Sequence, residues 1–340
     1  IAKCIYGILQ IQNSKFRIQN FERKDISKLQ IQEKMNILGQ AYAAGSKAFE
    51  EDEKAKVEII KINKQIYNND AETRQLYKTT RQWSLDYFDQ IYKRVGTKFD
   101  RLYFESEVYQ KGKEIVQKYI KDCIFLESEK AVIFPGEKYG LHNRVFITKD
   151  GNATYEGKEM GLAKLQCDEY NPDQIVHVVS SEQSGYFQVV FKAIEQVFPQ
   201  LTGKELHLVY GFVKLKQGKM SSRSGNIVLG EWLLDEAKKH VFQIMDSGQL
   251  KYPNESREDI GEKIAVAAVK CAFLRVGTTQ EIAFDFASSV NMSGDSGPYL
   301  LYTYARAKSV MRKSAEISSL TTEYIETVSK NLSIEEKSLL

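Results

Sequence analysis

Apolar side chains recur at helical spacing through most of the first hundred residues. The pattern is helical from about Ser27 to Arg94 and is interrupted at residues 68–70. Asp70 lies three positions before Thr73, which is typical of an N-cap that begins a new helix. A shorter helix near the start is indicated by four apolar positions: Ile1, Ile5, Ile8 and Leu9.

Beyond this part the period changes, and short apolar runs alternate with helical stretches. The runs predict strands at residues 99–104, 131–134, 144–147, 174–179 and 206–212. Helices are predicted at residues 108–120, from about Tyr155, and at residues 183–198, with a turn at residues 149–152. This alternation is typical of an α/β fold with a parallel sheet, and from Glu231 onward nearly everything follows a helical pattern.

Composition narrows the class of protein. The 340 residues are 42% hydrophobic and 27% charged, which is enough to bury a core and indicates about two domains. Lys and Arg number 48 against 45 Asp and Glu, so the net charge does not by itself indicate nucleic acid. The four cysteines form no C-x-x-C pair, so we expect no disulfide framework, no structural metal and a cytoplasmic protein. The most apolar stretch, residues 264–276, is too short to span a membrane.

Both ends of the chain are unusual. The chain begins with Ile1 rather than methionine and shows no signal-peptide pattern. At the other end, Ser338-Leu339-Leu340 lies inside an apolar helical pattern that has no cap. We therefore expect an interior piece of a longer protein.

The segment from Gly211 to Asn226 has an unusual composition. It contains glycines, hydroxyl side chains and no acidic residue, together with four cations: Lys214, Lys216, Lys219 and Arg223. Glycines let backbone N–H groups approach an anion and the cations balance phosphate charge, so a polyphosphate-handling loop is one interpretation. A solvated basic loop fits the composition equally well. The sequence contains neither a P-loop motif nor a dinucleotide motif.

Four segments resemble the class I aminoacyl-tRNA synthetases. Lys219-Met220-Ser221-Ser222-Arg223 resembles their KMSKS loop, and residues 218–226 are similar to the arginyl-tRNA synthetase version. Three further segments resemble that family: a Tyr-x-x-x-acid element at 155–159, a glutamine-bearing strand-to-helix segment at 177–187, and the start of the anticodon-binding domain at 296–307. Four matches in family order are more specific than one short motif.

The resemblance implies an α/β fold, with an incomplete class I synthetase Rossmann-like catalytic domain followed by an all-helical region. The implied domains are residues 1–229 (catalytic, with insertions), 230–296 (a helical stem-contact region) and 297–340 (the truncated start of a helical anticodon-binding domain). The family's HIGH element is absent, because no His-x-Gly-His pattern includes the four histidines, His142, His177, His207 and His240. We expect this element upstream of Ile1, and we expect these residues to be inactive alone.

The implied activity is ATP-dependent attachment of arginine to tRNA(Arg) through an arginyl-adenylate. The implied partners are L-arginine, tRNA(Arg) and ATP with Mg²⁺, and we expect a monomer without a membrane partner. Two alternatives stay open, because one fold can host several functions. They are another class I aminoacyl-tRNA synthetase, and a non-catalytic tRNA-binding relative.

The resemblance also assigns residues to ATP. The implied catalytic residues, which would stabilise charge on the departing pyrophosphate, are Lys219, Arg223, Ser221 and Ser222. Phe212 and Val213 form the implied adenine seat, and Met220 would anchor the loop in an apolar environment. His207 is a further candidate for binding ATP, although a hydrogen-bonded core histidine is the interpretation that we prefer.

For arginine, the implied residues are Tyr155, Glu159 and Gln183. A guanidinium group has five donors and no acceptor, so a carboxylate is its natural partner. Tyr155 and Glu159 are four positions apart and share a helix face. The alternatives are a surface glutamate for Glu159 and a helix cap for Gln183. Glu159 stands where the family usually has aspartate, so its carboxylate reaches one methylene further.

The helix predicted after Pro298 combines basic and aromatic side chains. Its basic residues are Arg306, Lys308, Arg312 and Lys313, and they are interleaved with Tyr299, Tyr302 and Tyr304. Basic groups can contact phosphates and aromatic rings can stack on bases, and the resemblance implies tRNA binding here. The alternative is a solvated helix face. In either case we expect some of the tyrosines to lie in the core.

Overall fold

The computed structural model describes residues 1–12, 29–68, 70–216, 230–247, 256–291 and 294–316. The chain forms two compact units, Ile1–Asp100 and Arg101–Leu340. The domain boundaries predicted at 229/230 and 296/297 both fall within the second unit, and they stay predictions. Within the described ranges, no helix is long and apolar enough to cross a membrane.

Helices make up the described part of the first unit: α1 (Ala2–Gln12), α2 (Ile31–Glu51), α3 (Glu53–Tyr67) and α4 (Ala71–Arg94). Asp52 begins α3, because its Oδ1 accepts hydrogen bonds from the backbone N–H groups of Lys54 and Ala55 at 2.8 and 3.3 Å. Asp70 begins α4 in the same way, accepting a hydrogen bond from Thr73 N at 3.0 Å. The helical pattern and the cap predicted from the sequence are therefore confirmed.

Small residues let α1 and α2 cross closely. Gly7 faces the backbone of Ala41, and Gly45 faces the carbonyl group of Lys3. A methyl group at either glycine would overlap with these backbone atoms. The crossing lies beside a core of apolar side chains from α1 and α3, which includes Ile5, Tyr6, Ile59 and Ile62.

Residues 99–104 contain no strand, so the strand predicted there is wrong. A strand needs a paired neighbour to satisfy its backbone groups, and here side chains make the distant contacts instead. Arg101 pairs with Glu107 at 2.6 Å, and the hydroxyl of Tyr103 donates a hydrogen bond to Glu169 at 2.7 Å. The alternating pattern of residues 99–104 therefore reflects side chains that contact nearby helices, and not a strand of a sheet.

The second unit begins with α5 (Glu105–Lys118) and an antiparallel sheet of β1 (Leu126–Ser128), β2 (Ala131–Phe134) and β3 (Arg144–Ile147). The strands predicted at 131–134 and 144–147 are confirmed. Phe125, Phe134 and Phe146 form an aromatic core, with ring centroids 5.0, 5.9 and 6.1 Å apart. α6 (Tyr155–Tyr170) packs against α5 and β3.

The predicted parallel pairing is confirmed for β4 (Ile175–Ser180) and β5 (Glu205–Tyr210), which α7 (Ser184–Val197) connects. His177 lies opposite His207 in this register, and α7 covers the face that carries both. The other face has apolar side chains that are 42–60% exposed: Val176, Val178, Leu206, Leu208 and Tyr210. Parallel sheets are usually covered on both faces, so this bare face is unusual.

A second parallel pair consists of β6 (Val213–Leu215) and β7 (Ile282–Phe284). β7 lies inside the stretch predicted to be helical, and a run of three residues is too short to reveal its period. The other elements of that stretch are α8 (Gly230–Asp246), α9 (Arg257–Leu274), α10 (Phe286–Ser289) and α11 (Gly297–Glu316). Apart from β7, the predicted order of an α/β part followed by helices is confirmed.

Gly45→Ala is expected to destabilise the first unit by about 1–3 kcal/mol, because the added methyl group forces α1 and α2 apart. Gly39→Ala is the matched control, since Gly39 lies in the same helix and a Cβ there would have no atom within 4 Å. The control is expected to be neutral or to stabilise by about 0.5–1 kcal/mol through helix propensity. Urea unfolding measures both values, and equal effects of the two changes would contradict the close crossing.

Candidate functional site

α6 begins at a defined point beside β3. Thr154 is its N-cap: the Oγ1 atom accepts a hydrogen bond from Gly157 N at 3.3 Å and donates one to Val145 O at 2.8 Å. The cap therefore ties the first turns of α6, which carry Tyr155 and Glu159, to β3. The Tyr155 side chain is exposed and Glu159 is half-buried.

Three carboxylates near Glu159 each have a basic partner. The pairs are Glu156 with Arg144 (3.0 Å), Glu105 with Lys158 (2.6 Å) and Glu205 with His177 (2.7 Å). Each pair joins two different helices or strands, so its geometry depends on the packing of the second unit. Each of these three carboxylates therefore has a basic partner within the fold.

Glu159 differs from these neighbours, because no hydrogen bond or ion pair joins it to any described residue. Burial raises the pKa of Glu159, and the charge of His177 acts in the opposite direction. Glu205 and the other two carboxylates raise this pKa further. A half-buried carboxylate without a cation is costly, so an external cation would be stabilised at this position.

Tyr186, in the first turn of α7, lies near the same carboxylates. Burial raises the pKa of its phenol, and the charges of Glu159 and Glu156 raise it further. The guanidinium group of Arg144 lies over the ring, 5.4 Å from the ring centroid. Tyr186 therefore keeps its proton and offers a neutral hydroxyl group in the neighbourhood of Glu159.

Gln183 lies immediately before α7, just beyond the carboxyl end of β4, and its side chain is exposed. This edge is where open parallel sheets bind their ligands. The side chain makes no cap hydrogen bond to α7, which argues against the alternative that Gln183 serves as a helix cap. Its binding of arginine, like that of Tyr155 and Glu159, stays a prediction.

His207 is packed inside the second unit. Its Nε2 lies 3.1 Å from the carbonyl oxygen of Val179, and its ring centroid lies 4.9 Å from that of Phe187. These contacts satisfy one ring nitrogen and cover the imidazole, as expected for a core histidine. The contact with ATP that the resemblance implies for His207 stays a prediction.

The predicted ATP loop lies largely outside the described residues, which end at Lys216 before Lys219, Met220, Ser221, Ser222 and Arg223. The two predicted adenine-seat residues lead into it. Phe212 accepts a hydrogen bond at its carbonyl oxygen from Ile282 N at 2.8 Å, and Val213 begins β6. The structure therefore positions the start of the segment, directly after β5, and the roles of its residues stay predictions.

α11 presents its basic and aromatic side chains to solvent. The four predicted tRNA-binding residues, Arg306, Lys308, Arg312 and Lys313, are all exposed. The tyrosines are exposed as well, so the expectation that some of them lie in the core is wrong: Tyr299, Tyr302 and Tyr304. Arg306 lies over the ring of Tyr302 and Lys308 over that of Tyr304, at 5.6 and 5.7 Å. The face combines cations with accessible rings.

The sequence held only a weak signal for the charged partners around Glu159. His177 interrupts a run that is otherwise apolar and Glu205 begins the next such run, and a polar residue in a buried strand usually has a partner. Arg144 and Glu156 gave no such signal, because their contact depends on how α6 packs against β3. Among the described residues, no group of three or more His, Cys, Asp or Glu side chains could hold a metal ion.

Comparisons with known proteins identify the family of the chain. A family model described as "tRNA synthetases class I (R), catalytic domain" matches residues 14–286. The arginine–tRNA ligase of Bacteroides fragilis (strain YCH46) is 31% identical over 273 residues, which cover 79% of this chain and 45% of the relative. The enzyme of the same name from Phocaeicola vulgatus is 32% identical over 263 residues, covering 76% and 43%. The chain thus spans less than half the length of these relatives.

Two solved structures share the fold. The arginyl-tRNA synthetase of Plasmodium falciparum is 18% identical with a TM-score of 0.68, and the match covers 92% of this chain and 50% of that one. The arginyl-tRNA synthetase of Thermus thermophilus is 19% identical with a TM-score of 0.68, covering 92% and 56%. The family model matches well over half of the residues, and the chain therefore belongs to the class I (R) tRNA synthetases, in their catalytic domain.

Proposed function

We propose that the protein containing these residues attaches arginine to tRNA(Arg) in two steps. The arginine carboxylate attacks the α-phosphate of ATP and pyrophosphate leaves, which gives an arginyl-adenylate. The terminal ribose hydroxyl of the tRNA then attacks the adenylate, and AMP leaves. The observation that carries this proposal is Glu159, a half-buried carboxylate with no cation among the described residues.

The chemistry around Glu159 fits a guanidinium group. Neighbouring carboxylates already have Arg144, Lys158 and His177 as partners, so Glu159 is the acid available to a ligand. A planar guanidinium can donate two parallel hydrogen bonds to one carboxylate, and charge-assisted bonds of this kind are stronger than neutral ones. Binding would also relieve the cost of leaving Glu159 without a cation. Tyr155 and Gln183 are the other residues that we assign to arginine.

ATP would bind at the carboxyl edge of the β4–β5 pair, where Phe212 and Val213 lead into the basic segment. The step on the α-phosphate needs positioning and stabilisation of charge rather than a protein nucleophile. Lys219 and Arg223 would neutralise charge on the departing pyrophosphate, with hydrogen bonds from Ser221 and Ser222. The described residues offer no cluster of metal ligands, so Mg²⁺ would be held chiefly by the phosphates of ATP.

We assign tRNA binding to the exposed face of α11. Its cations can neutralise phosphates, and its accessible rings can stack on unpaired bases. The support is that Arg306 and Lys308 each lie over a tyrosine ring of the same helix while remaining exposed.

We also propose that the working enzyme is a cytoplasmic monomer.

The bare face of β4 and β5 supports a further part of the proposal, namely that the working enzyme contains more polypeptide than these 340 residues. Five apolar side chains on that face are 42–60% exposed. Parallel sheets are stable when both faces are covered, so additional polypeptide of the same protein would complete the catalytic domain. The relatives, which are about twice as long, are compatible with this.

The isolated 340-residue polypeptide is expected not to charge tRNA with arginine. It contains no His-x-Gly-His pattern to contact the phosphates of ATP, and one face of its sheet is bare. The measurement is incorporation of labelled arginine into tRNA, with the complete natural protein as the positive control. Charging by the short polypeptide at the rate of the complete protein would contradict the proposal.

Lys219→Ala in the complete protein is expected to lower kcat for adenylate formation by about 10²–10³-fold, with a smaller effect on the KM for arginine. A lysine that meets charge mainly in the transition state acts on kcat in this way. Arginine-dependent exchange of pyrophosphate into ATP measures both constants. Lys121→Ala, at an exposed lysine of the second unit, is the control and should leave them unchanged. An unchanged kcat in Lys219→Ala would remove Lys219 from the catalytic role.

Glu159→Gln keeps the shape of the side chain and removes its charge. Arginine binding is expected to weaken by roughly 2–4 kcal/mol, because a buried pair of opposite charges is lost. ATP binding should change little. Calorimetry on the complete protein measures both affinities, and Glu127→Gln in β1 is the matched control at an exposed carboxylate. Equal losses for both ligands would indicate damage to the fold, and no loss for arginine would exclude Glu159 from the arginine site.

A further inference from the structure

Arg144, the first residue of β3, contacts the beginnings of two different helices. Its Nη1 atom donates a hydrogen bond to Oε1 of Glu156, in the first turn of α6, at 3.0 Å. Its guanidinium group also lies over the ring of Tyr186, in the first turn of α7, 5.4 Å from the ring centroid. One side chain therefore joins the first turn of α6 to the first turn of α7.

These two turns carry or adjoin the residues that we assign to arginine. Tyr155 immediately precedes Glu156, and Glu159 lies about one helical turn further along α6. Gln183 immediately precedes α7 and lies three positions before Tyr186. Because a helix is stiff over a single turn, contacts that fix Glu156 and Tyr186 also fix the backbone from which the assigned side chains extend.

The position of α6 on β3 does not depend on Arg144. The Oγ1 atom of Thr154 donates a hydrogen bond to Val145 O at 2.8 Å, which holds the start of the helix on the strand. Gly157 packs against the same strand so closely that a Cβ there would lie 2.4 Å from the carbonyl oxygen of Phe146. What Arg144 adds to these contacts is the connection to α7.

Stability alone does not account for this arginine. The side chains of Arg144 and Glu156 are 34% and 13% exposed, and a partly exposed ion pair contributes little to the free energy of unfolding. The Nε atom of Arg144 is buried and has no hydrogen-bond partner among the described residues, which carries a cost. A planar guanidinium that is bonded at its edge and stacked on its face does, however, fix the geometry between its two partners.

We propose that Arg144 is a positioning residue for the arginine site, which sets the separation between the first turns of α6 and α7. It acts through Glu156 and Tyr186, with which its guanidinium group is already engaged, rather than by touching the ligand. The separation in turn determines the length of ligand side chain that the site accepts. This inference rests on the proposed function, and it extends that proposal from the charge of the ligand to its length.

The test compares arginine with homoarginine, whose side chain is one methylene longer, in the complete protein. Exchange of pyrophosphate into ATP gives kcat and KM for each ligand. In Arg144→Gln the preference for arginine, measured as the ratio of the two kcat/KM values, is expected to fall about three- to tenfold. The fall should come mainly from a higher KM for arginine, with the KM for ATP little changed. Arg144→Lys keeps a cation within reach of both partners and should recover part of the preference.

Arg101→Gln is the matched control. Arg101 is 31% exposed, pairs with Glu107 at 2.6 Å and lies over the ring of Tyr103 at 4.5 Å, but its other carboxylate partner, Glu169, is in the last turn of α6. This variant loses contacts of the same kind at the opposite end of the helix, so it should keep the preference of wild type. Urea unfolding measures the stability of both variants. An equal fall in preference in Arg101→Gln and Arg144→Gln would mean general loosening of α6 and would overturn the inference.

A milder variant covers the case in which Arg144→Gln does not fold. Glu156→Gln removes the charge that Arg144 pairs with and leaves the stacking on Tyr186 in place. It is expected to lower the preference for arginine in the same direction, by a smaller factor. An unchanged preference in Glu156→Gln would then overturn the inference.

The proposed function and the inference can fail separately. If Glu159→Gln leaves arginine affinity unchanged, the proposed function of Glu159 fails. If Glu159→Gln weakens arginine binding while Arg144→Gln discriminates against homoarginine as wild type does, only the inference fails.

Discussion

An unpaired carboxylate in a half-buried place is the constraint around which the second unit is organised. Glu159 carries a charge that burial disfavours, and the fold pairs the surrounding acids without pairing this one. The unpaired carboxylate lowers the free energy of unfolding, and a cation bound to it would restore part of that stability. Under the proposed function, this cost would be offset by the guanidinium group of bound arginine.

The packing of ordinary secondary structure creates that arrangement. The Thr154 cap ties α6 to β3, which brings Arg144 to Glu156. Contact between α5 and α6 brings Glu105 to Lys158, and the parallel register of β4 and β5 brings His177 to Glu205. Each contact uses a different interface, so displacement of one element would unbalance one carboxylate and change the field at Glu159.

The two faces of the β4–β5 sheet differ in how much apolar surface they expose. α7 covers one face of β4 and β5 with its phenylalanines, whereas the opposite face carries exposed valine, leucine and tyrosine side chains. Exposed apolar surface of this extent lowers solubility and favours association with further polypeptide. The chain spans less than half the length of the arginine–tRNA ligases that it matches, and the proposal that further polypeptide covers this face rests on the exposed apolar surface.

Periodicity by itself determined β2, β3, α6 and α7 and the parallel order of β4 and β5, because these elements follow from local apolar patterns and turn chemistry. Spacing and resemblance also singled out Glu159. Sequence alone misread residues 99–104 and missed β7, since a strand is defined by a neighbour and not only by its own pattern. Only the tertiary structure decided that Glu159 has no basic partner within hydrogen-bonding distance while Glu156 and Glu205 do. Their partners lie 12 and 28 positions away, and only three-dimensional packing brings such distant charges within hydrogen-bonding distance.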